Sequence, residues 1–184
     1  MCGSTQKYAK WIAEELGCPV FKSSKLNLNK YEKYDTVIIG GGIYTGDING
    51  VRFFTTNFRN FEDKNIVVFT VGVMDPESSN QFKVIKNHNF SKEMQDKIKF
   101  FHFRGNLIYK KLNPVHKLAM SLLRRALKNK PENERTEEDK IIIGLKETDY
   151  EFTDKKNIAP LIQYVRSLYI PNEQNPENTG GNNE

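Results

Sequence analysis

Two short runs constrain this chain more than any other feature. Thr36–Gly40 reads TVIIG and Asn65–Val73 reads NIVVFTVGV, both rich in β-branched residues and free of charge. A sheet with one wet face alternates polar and apolar residues, whereas a strand covered on both faces is apolar at consecutive positions. Helix-like segments separate the runs, so the pattern predicts an α/β fold: an open parallel sheet with helices on both faces. Ligands in such sheets collect beyond the C-terminal ends of the strands. Here those ends, Gly40–Gly46 and Thr70–Val73, are rich in Gly, Tyr and Thr.

The remaining elements follow from periodicity. Thr5–Leu16 carries Ala9, Ile12, Ala13 and Leu16 on one stripe, closed by Gly17, with Ser4 or Thr5 as the expected cap. Cys18–Lys22 reads as a short strand and Leu26–Tyr34 as a short helix or turn. Val51–Phe61 is expected to be helical with its Phe residues inward, Ser78–Lys86 and Ser91–Asp96 helical, and Lys97–Phe103 a further strand. Pro114 opens a helix whose stripe is Val115, Leu118, Ala119, Leu122 and Ala126, and Asp154–Leu168 makes the last helix. A domain over 1–169 is expected, followed by a disordered tail over 170–184, where no apolar side chain is present from Pro171 on.

Charge narrows the partners. The 184 residues carry a formal charge of +5, unevenly spread. From Lys97 to Lys130 there are ten Lys or Arg and no Asp or Glu. Such a block is either a solvated face or a surface for an anionic partner, a membrane or a charged substrate. No recognised RNA motif accompanies it, so nucleic acid is not expected. The apolar runs are too short to span a bilayer, and no secretory signal is visible. With Cys2 and Cys18 alone, neither a disulfide scaffold nor a metal site is expected, and a cytoplasmic protein is the default.

The chain opens on Gly3-Ser4-Thr5 running straight into a helix, a turn suited to an anion because it offers free N–H groups, hydroxyls and the positive dipole end. Together with "YDTVIIGGGIYTGDING", "NIVVFTVGV", "FHFRGNLIYKKLNPVHKLAMSLLRRAL" and "EFTDKKNIAPLIQYV", this opening resembles the flavodoxin-like family over residues 2–168. Within it, the chain looks like the flavodoxin-domain proteins related to menaquinone-dependent protoporphyrinogen oxidase.

The resemblance implies FMN as cofactor and a strand order of 2-1-3-4-5. Gly3, Ser4, Thr5 and Gln6 would meet its phosphate; Ile43, Tyr44, Thr45 and Gly46 would lie along one flavin face, Tyr44 against the ring. Thr70, Val71, Gly72 and Val73 would form the opposite wall, and Gly46 would permit a peptide flip. The family's first strand would lie before Met1, so this chain is expected to be N-terminally truncated; a shorter variant, pairing strand two with strand three, is the alternative. A basic helical insertion over about 103–130 would serve quinone or porphyrin access or touch a membrane, through Arg104, Lys110, Lys111, Lys117, Arg124 and Arg125. The implied function is an FMN-dependent oxidoreductase passing electrons from a reduced organic substrate, such as protoporphyrinogen, to a quinone or partner. An electron carrier and a flavin-free interaction module remain alternatives. No catalytic residue stands out: His102 and His116 read as ordinary positions.

Overall fold

The computed structural model describes residues 3–23, 31–44, 46–73, 75, 79–112, 114–145 and 149–170. Four strands form one open sheet in the order β2-β1-β3-β4: β1 (Thr36–Tyr44), β2 (Asp47–Ile48), β3 (Asn65–Gly72) and β4 (Ile98–Arg104). β1 and β3 run parallel from Thr36 opposite Asn65 to Gly42 opposite Val71. β3 and β4 run parallel from Ile66 opposite Ile98 to Gly72 opposite Arg104. β2 is a short antiparallel addition opposite Ile43 and Tyr44. The sheet is therefore mixed but mostly parallel.

β3 is the centre of the protein, buried without a break from Ile66 to Val71. Its alternate side chains feed two cores. Val67, Phe69 and Val71 pack with Tyr8 and Ile12 of α1 (Ser4–Leu16) and with Leu161, Ile162 and Val165 of the closing helix, Ala159–Ser167. Ile66 and Val68 pack on the opposite face with Phe54, Phe58, Phe61 and Phe90. Phe54 sits on α2 (Arg52–Thr56), Phe58 and Phe61 on a 3-10 turn, and Phe90 follows α3 (Ser79–Asn89). α4 (Lys92–Lys97) then leads into β4, its start capped by the Ser91 hydroxyl accepting from the Met94 N–H at 3.3 Å.

β1 is different. Its sequence is that of an interior strand, yet Thr36–Gly40 is only partly buried. The edge away from β3 carries β2 at its last two residues and an Asn49 N–H to Gly42 carbonyl bond of 2.9 Å. Among the described residues no strand pairs with that edge along Thr36–Gly41. Cys18–Lys22, expected as a strand, joins no ladder. A strand exists only through lateral pairing, and among the described residues this segment has no ladder partner. Pairing between it and β1, the shorter-variant topology, is not formed.

A helical hairpin follows β4. α5 (Pro114–Lys128) and α6 (Glu137–Gly144) are tied at both ends. The buried Arg124 guanidinium donates to the Ile143 carbonyl through Nε at 2.8 Å, and Lys130 reaches Asp139 at 2.8 Å. The apolar stripe read on this helix faces solvent: Val115, Leu118 and Leu122 are 74%, 64% and 62% exposed. Residues 24–30, most of the Leu26–Tyr34 segment, and the tail from residue 171 lie outside the described residues. A 3-10 turn over Lys155–Ile158 leads into the last described helix, α7 (Ala159–Ser167).

Candidate cofactor site

α1 begins at the C-terminal ends of the strands. Gly3 adopts the left-handed region (φ 72°) that only glycine enters readily, and no side chain caps the helix it opens. The first turn carries no acid, and the first helical bond is Lys7 N–H to the Gly3 carbonyl at 3.0 Å. Uncapped first-turn N–H groups leave an anion site at the positive end of the dipole.

Ser4, one of the two expected caps, does something else. Its buried hydroxyl accepts the Asn106 N–H at 3.0 Å and lies 3.0 Å from the Thr153 hydroxyl. Thr153 in turn reaches Asn106 Oδ1 through its N–H at 2.9 Å and its hydroxyl at 2.8 Å. A backbone N–H can only donate, which fixes the Asn106 carboxamide with its oxygen toward Thr153. Gly105 makes the floor: its N–H donates to the Gly72 carbonyl at 2.7 Å, and a Cβ there would sit 2.6 Å from Val71 Cγ1. Sequence reasoning missed Asn106 and Thr153, and no local pattern marks them. Ser4 and Thr153 are 149 residues apart and meet only in the folded chain.

This turn opens on a cavity of about 1030 Å³. Of the residues singled out from the sequence, Gly3, Ser4, Thr5 and Gln6 line one end of it. Ile43 and Tyr44 line it from β1, and Val71, Gly72 and Val73 from the end of β3. Lys10 and Lys22 also line it, and no Asp or Glu does among the described residues. The three segments therefore share one cleft whose charge favours an anion.

Two residues fall elsewhere. Thr70 is fully buried and absent from the cavity wall; its hydroxyl meets His102 Nδ1 at 2.8 Å. The strand's period of two turns it toward the face that Ile66 and Val68 occupy, away from the cavity side of Val71. Gly46 is likewise absent from the wall, at the β1–β2 turn with φ 93°. Its carbonyl accepts from Asn89 Nδ2 at 2.7 Å while Asn89 Oδ1 accepts the Ile48 N–H at 2.8 Å. A peptide flip at Gly46 would have to break the first of these. Thr45 lies outside the described residues.

The cavity is longer than the cleft. It runs down the edge of β1 that no described strand pairs, past Val37–Gly40, with Ala9 of α1 on one side and Phe53, Phe54 and Phe61 on the other. Its volume lies at the upper limit of small-molecule pockets, about 300–1,000 Å³. Tyr31 stands in this channel with its hydroxyl buried and without a partner among the described residues. Burial pushes its phenol up to about 12. Of the basic side chains expected to meet an anion, Arg104 donates to the Val73 carbonyl at 3.3 Å and stacks on Phe152 at 3.7 Å, and Arg124 is committed to α6.

The fold and cleft define an open α/β domain with an anion turn at the switch between helix and sheet. Comparison with known proteins agrees: a profile of the flavodoxin domain matches residues 2–134, and the chain belongs to that family. Flavodoxin domains are associated with flavin binding and electron transfer. An uncharacterized protein of Methanocaldococcus jannaschii, MJ0298, is 31% identical over 97 residues, 52% of this chain and 58% of its own length. The match thus spans under two thirds of that relative. No solved structure matches the chain. Thr153 and the whole of α6 and α7 lie beyond the matched span. No described helix is long and apolar enough to cross a membrane.

Proposed function

We propose that this protein binds FMN and acts as an oxidoreductase, moving electrons from a reduced organic substrate to a quinone or a protein partner. The observation that carries the reading is the cavity shared by the uncapped turn Gly3–Gln6, Tyr44 and Val71–Val73. The residues fit the group. The N–H groups of the first turn and the Thr5 hydroxyl would take the phosphate, with Gly3 allowing close approach. Tyr44 and Val73 would flank the ring, and bound FMN would supply one- and two-electron chemistry. The chain's own contribution is to orient the ring and keep acids away from the phosphate. Protoporphyrinogen is the substrate to try first, with menaquinone as acceptor.

The test compares two flavins. A phosphate-reading turn binds FMN more tightly than riboflavin, and Thr5→Ala shrinks that preference by about tenfold, as expected for a hydrogen bond to a charged group. Absence of flavin binding by the unaltered protein refutes the reading. If FMN binds, oxidation of protoporphyrinogen separates an enzyme from an electron carrier.

A second reading is favoured by the edge of β1 and the Tyr31 hydroxyl, which have no strand and no hydrogen-bond partner among the described residues: a flavin-free interaction module whose sheet accepts a strand from another chain. A colourless protein that takes up no FMN favours the module.

A further inference from the structure

α5 presents its apolar side to solvent. Val115, Leu118 and Leu122 fall at i, i+3 and i+7 on one face of a 15-residue helix and are more than half exposed. The helix instead packs through Met120, Arg124 and Leu127, with Arg124 fixed on the Ile143 carbonyl. Three large aliphatic side chains in a row on a surface helix mark a docking face. Nothing in residues 171–184 could cover it, since that stretch holds no Val, Leu, Ile, Met, Phe, Tyr or Trp.

Charge decides what docks. Arg125 borders Leu118 and Leu122 at i+7 and i+3, and Lys128 follows one turn on; both are exposed and make no ion pair among the described residues. Exposed Lys110 lies just ahead of the helix. Of the acids that follow, Glu137 pairs with Lys140 at 2.7 Å and Asp139 with Lys130 at 2.8 Å, while Glu132 and Glu134 are exposed on the turn beyond the helix. An apolar stripe flanked by uncompensated cations matches the boundary between acyl chains and anionic headgroups. The geometry points to α5 as an interfacial helix that lays Val115, Leu118 and Leu122 into an anionic lipid surface, held by Lys110, Arg125 and Lys128. The helix spans about 22 Å and lies flat rather than across the bilayer. Ala119 and Leu123, next to the stripe, line the cavity, so the docked face adjoins the cavity mouth.

Vesicle sedimentation tests this independently of any flavin. The whole protein is mixed with vesicles of phosphatidylglycerol and phosphatidylcholine, and separately with phosphatidylcholine alone. Sedimentation with the anionic vesicles only, weakened by salt, is expected. The double variant Leu118→Gln/Leu122→Gln should lose partitioning by at least about tenfold. Arg125→Glu/Lys128→Glu should lose at least about 30-fold, from the loss of two surface cations. All four side chains are exposed, so the variants should keep the parent's thermal transition, which is checked alongside. Equal binding to both vesicle types, or to neither, overturns the assignment. So does a leucine variant that binds like the parent, which would mean plain cationic adhesion. A dimer in light scattering that the leucine variant dissolves would give the stripe to a second copy instead and also overturn it.

Discussion

Tyr8 is the side chain whose loss tests the architecture of the site most directly. It is fully buried on the inner face of α1. Its hydroxyl donates to the Arg104 carbonyl at 2.8 Å and accepts from Asn157 Nδ2 at 2.9 Å and, more weakly, from the Asp154 N–H at 3.3 Å. One oxygen thereby joins α1, the end of β4 and the segment before α7. Tyr8→Phe keeps the ring, which packs at 4.9 Å from Phe103 and 5.6 Å from Trp11. Only the hydroxyl goes, so no cavity term enters. Two good bonds and one weak one are lost, and a carbonyl and an amide are left short of partners. At about 1 kcal/mol per bond, and more for an orphaned group, the loss is roughly 2–4 kcal/mol. With a urea slope of about 2 kcal/mol per M, the midpoint should fall by about 1–2 M at unchanged slope. The thermal midpoint should fall by roughly 4–16 °C for a chain of this size. A midpoint shift below about 0.3 M would show that water replaces the hydroxyl and that the three elements are held by apolar packing alone.

Two further predictions concern titrating groups. Tyr31→Phe removes a buried hydroxyl that has no partner among the described residues, and should stabilise the isolated chain by about 1 kcal/mol in urea melts; a destabilisation of that size would mean the hydroxyl is bonded. The Lys130 ammonium donates to Asp139 and holds its carboxyl below the ordinary range. A carboxyl depressed in the folded state contributes stability above its unfolded value, about 4, and loses that contribution as pH falls through the folded value. Urea melts at pH 6 and pH 3 should therefore differ less in Asp139→Asn than in the parent, and an equal difference refutes the coupling.

The sequence by itself determined the strands and the class. TVIIG and NIVVFTVGV are apolar at consecutive positions, and only a two-sided covering removes both rows from water, so β1 and β3 followed from local composition. The turn at Gly3 was legible too, because glycine before a helix is a local signal. Side-chain direction and partnership were not. Thr70 looked like a cleft residue by position, but strand pleat turns it to the far face, where His102 takes its hydroxyl. The stripe of α5 was readable as a pattern, yet whether it faced the core or the solvent depended on where Arg124 found its carbonyl. Ser4 was expected to cap its own helix and instead answers to Asn106 and Thr153. Those contacts cross more than a hundred residues, and no local rule reaches that far. Tertiary structure also decided that Cys18–Lys22 joins no sheet, since a strand is defined by its neighbour and not by its own residues.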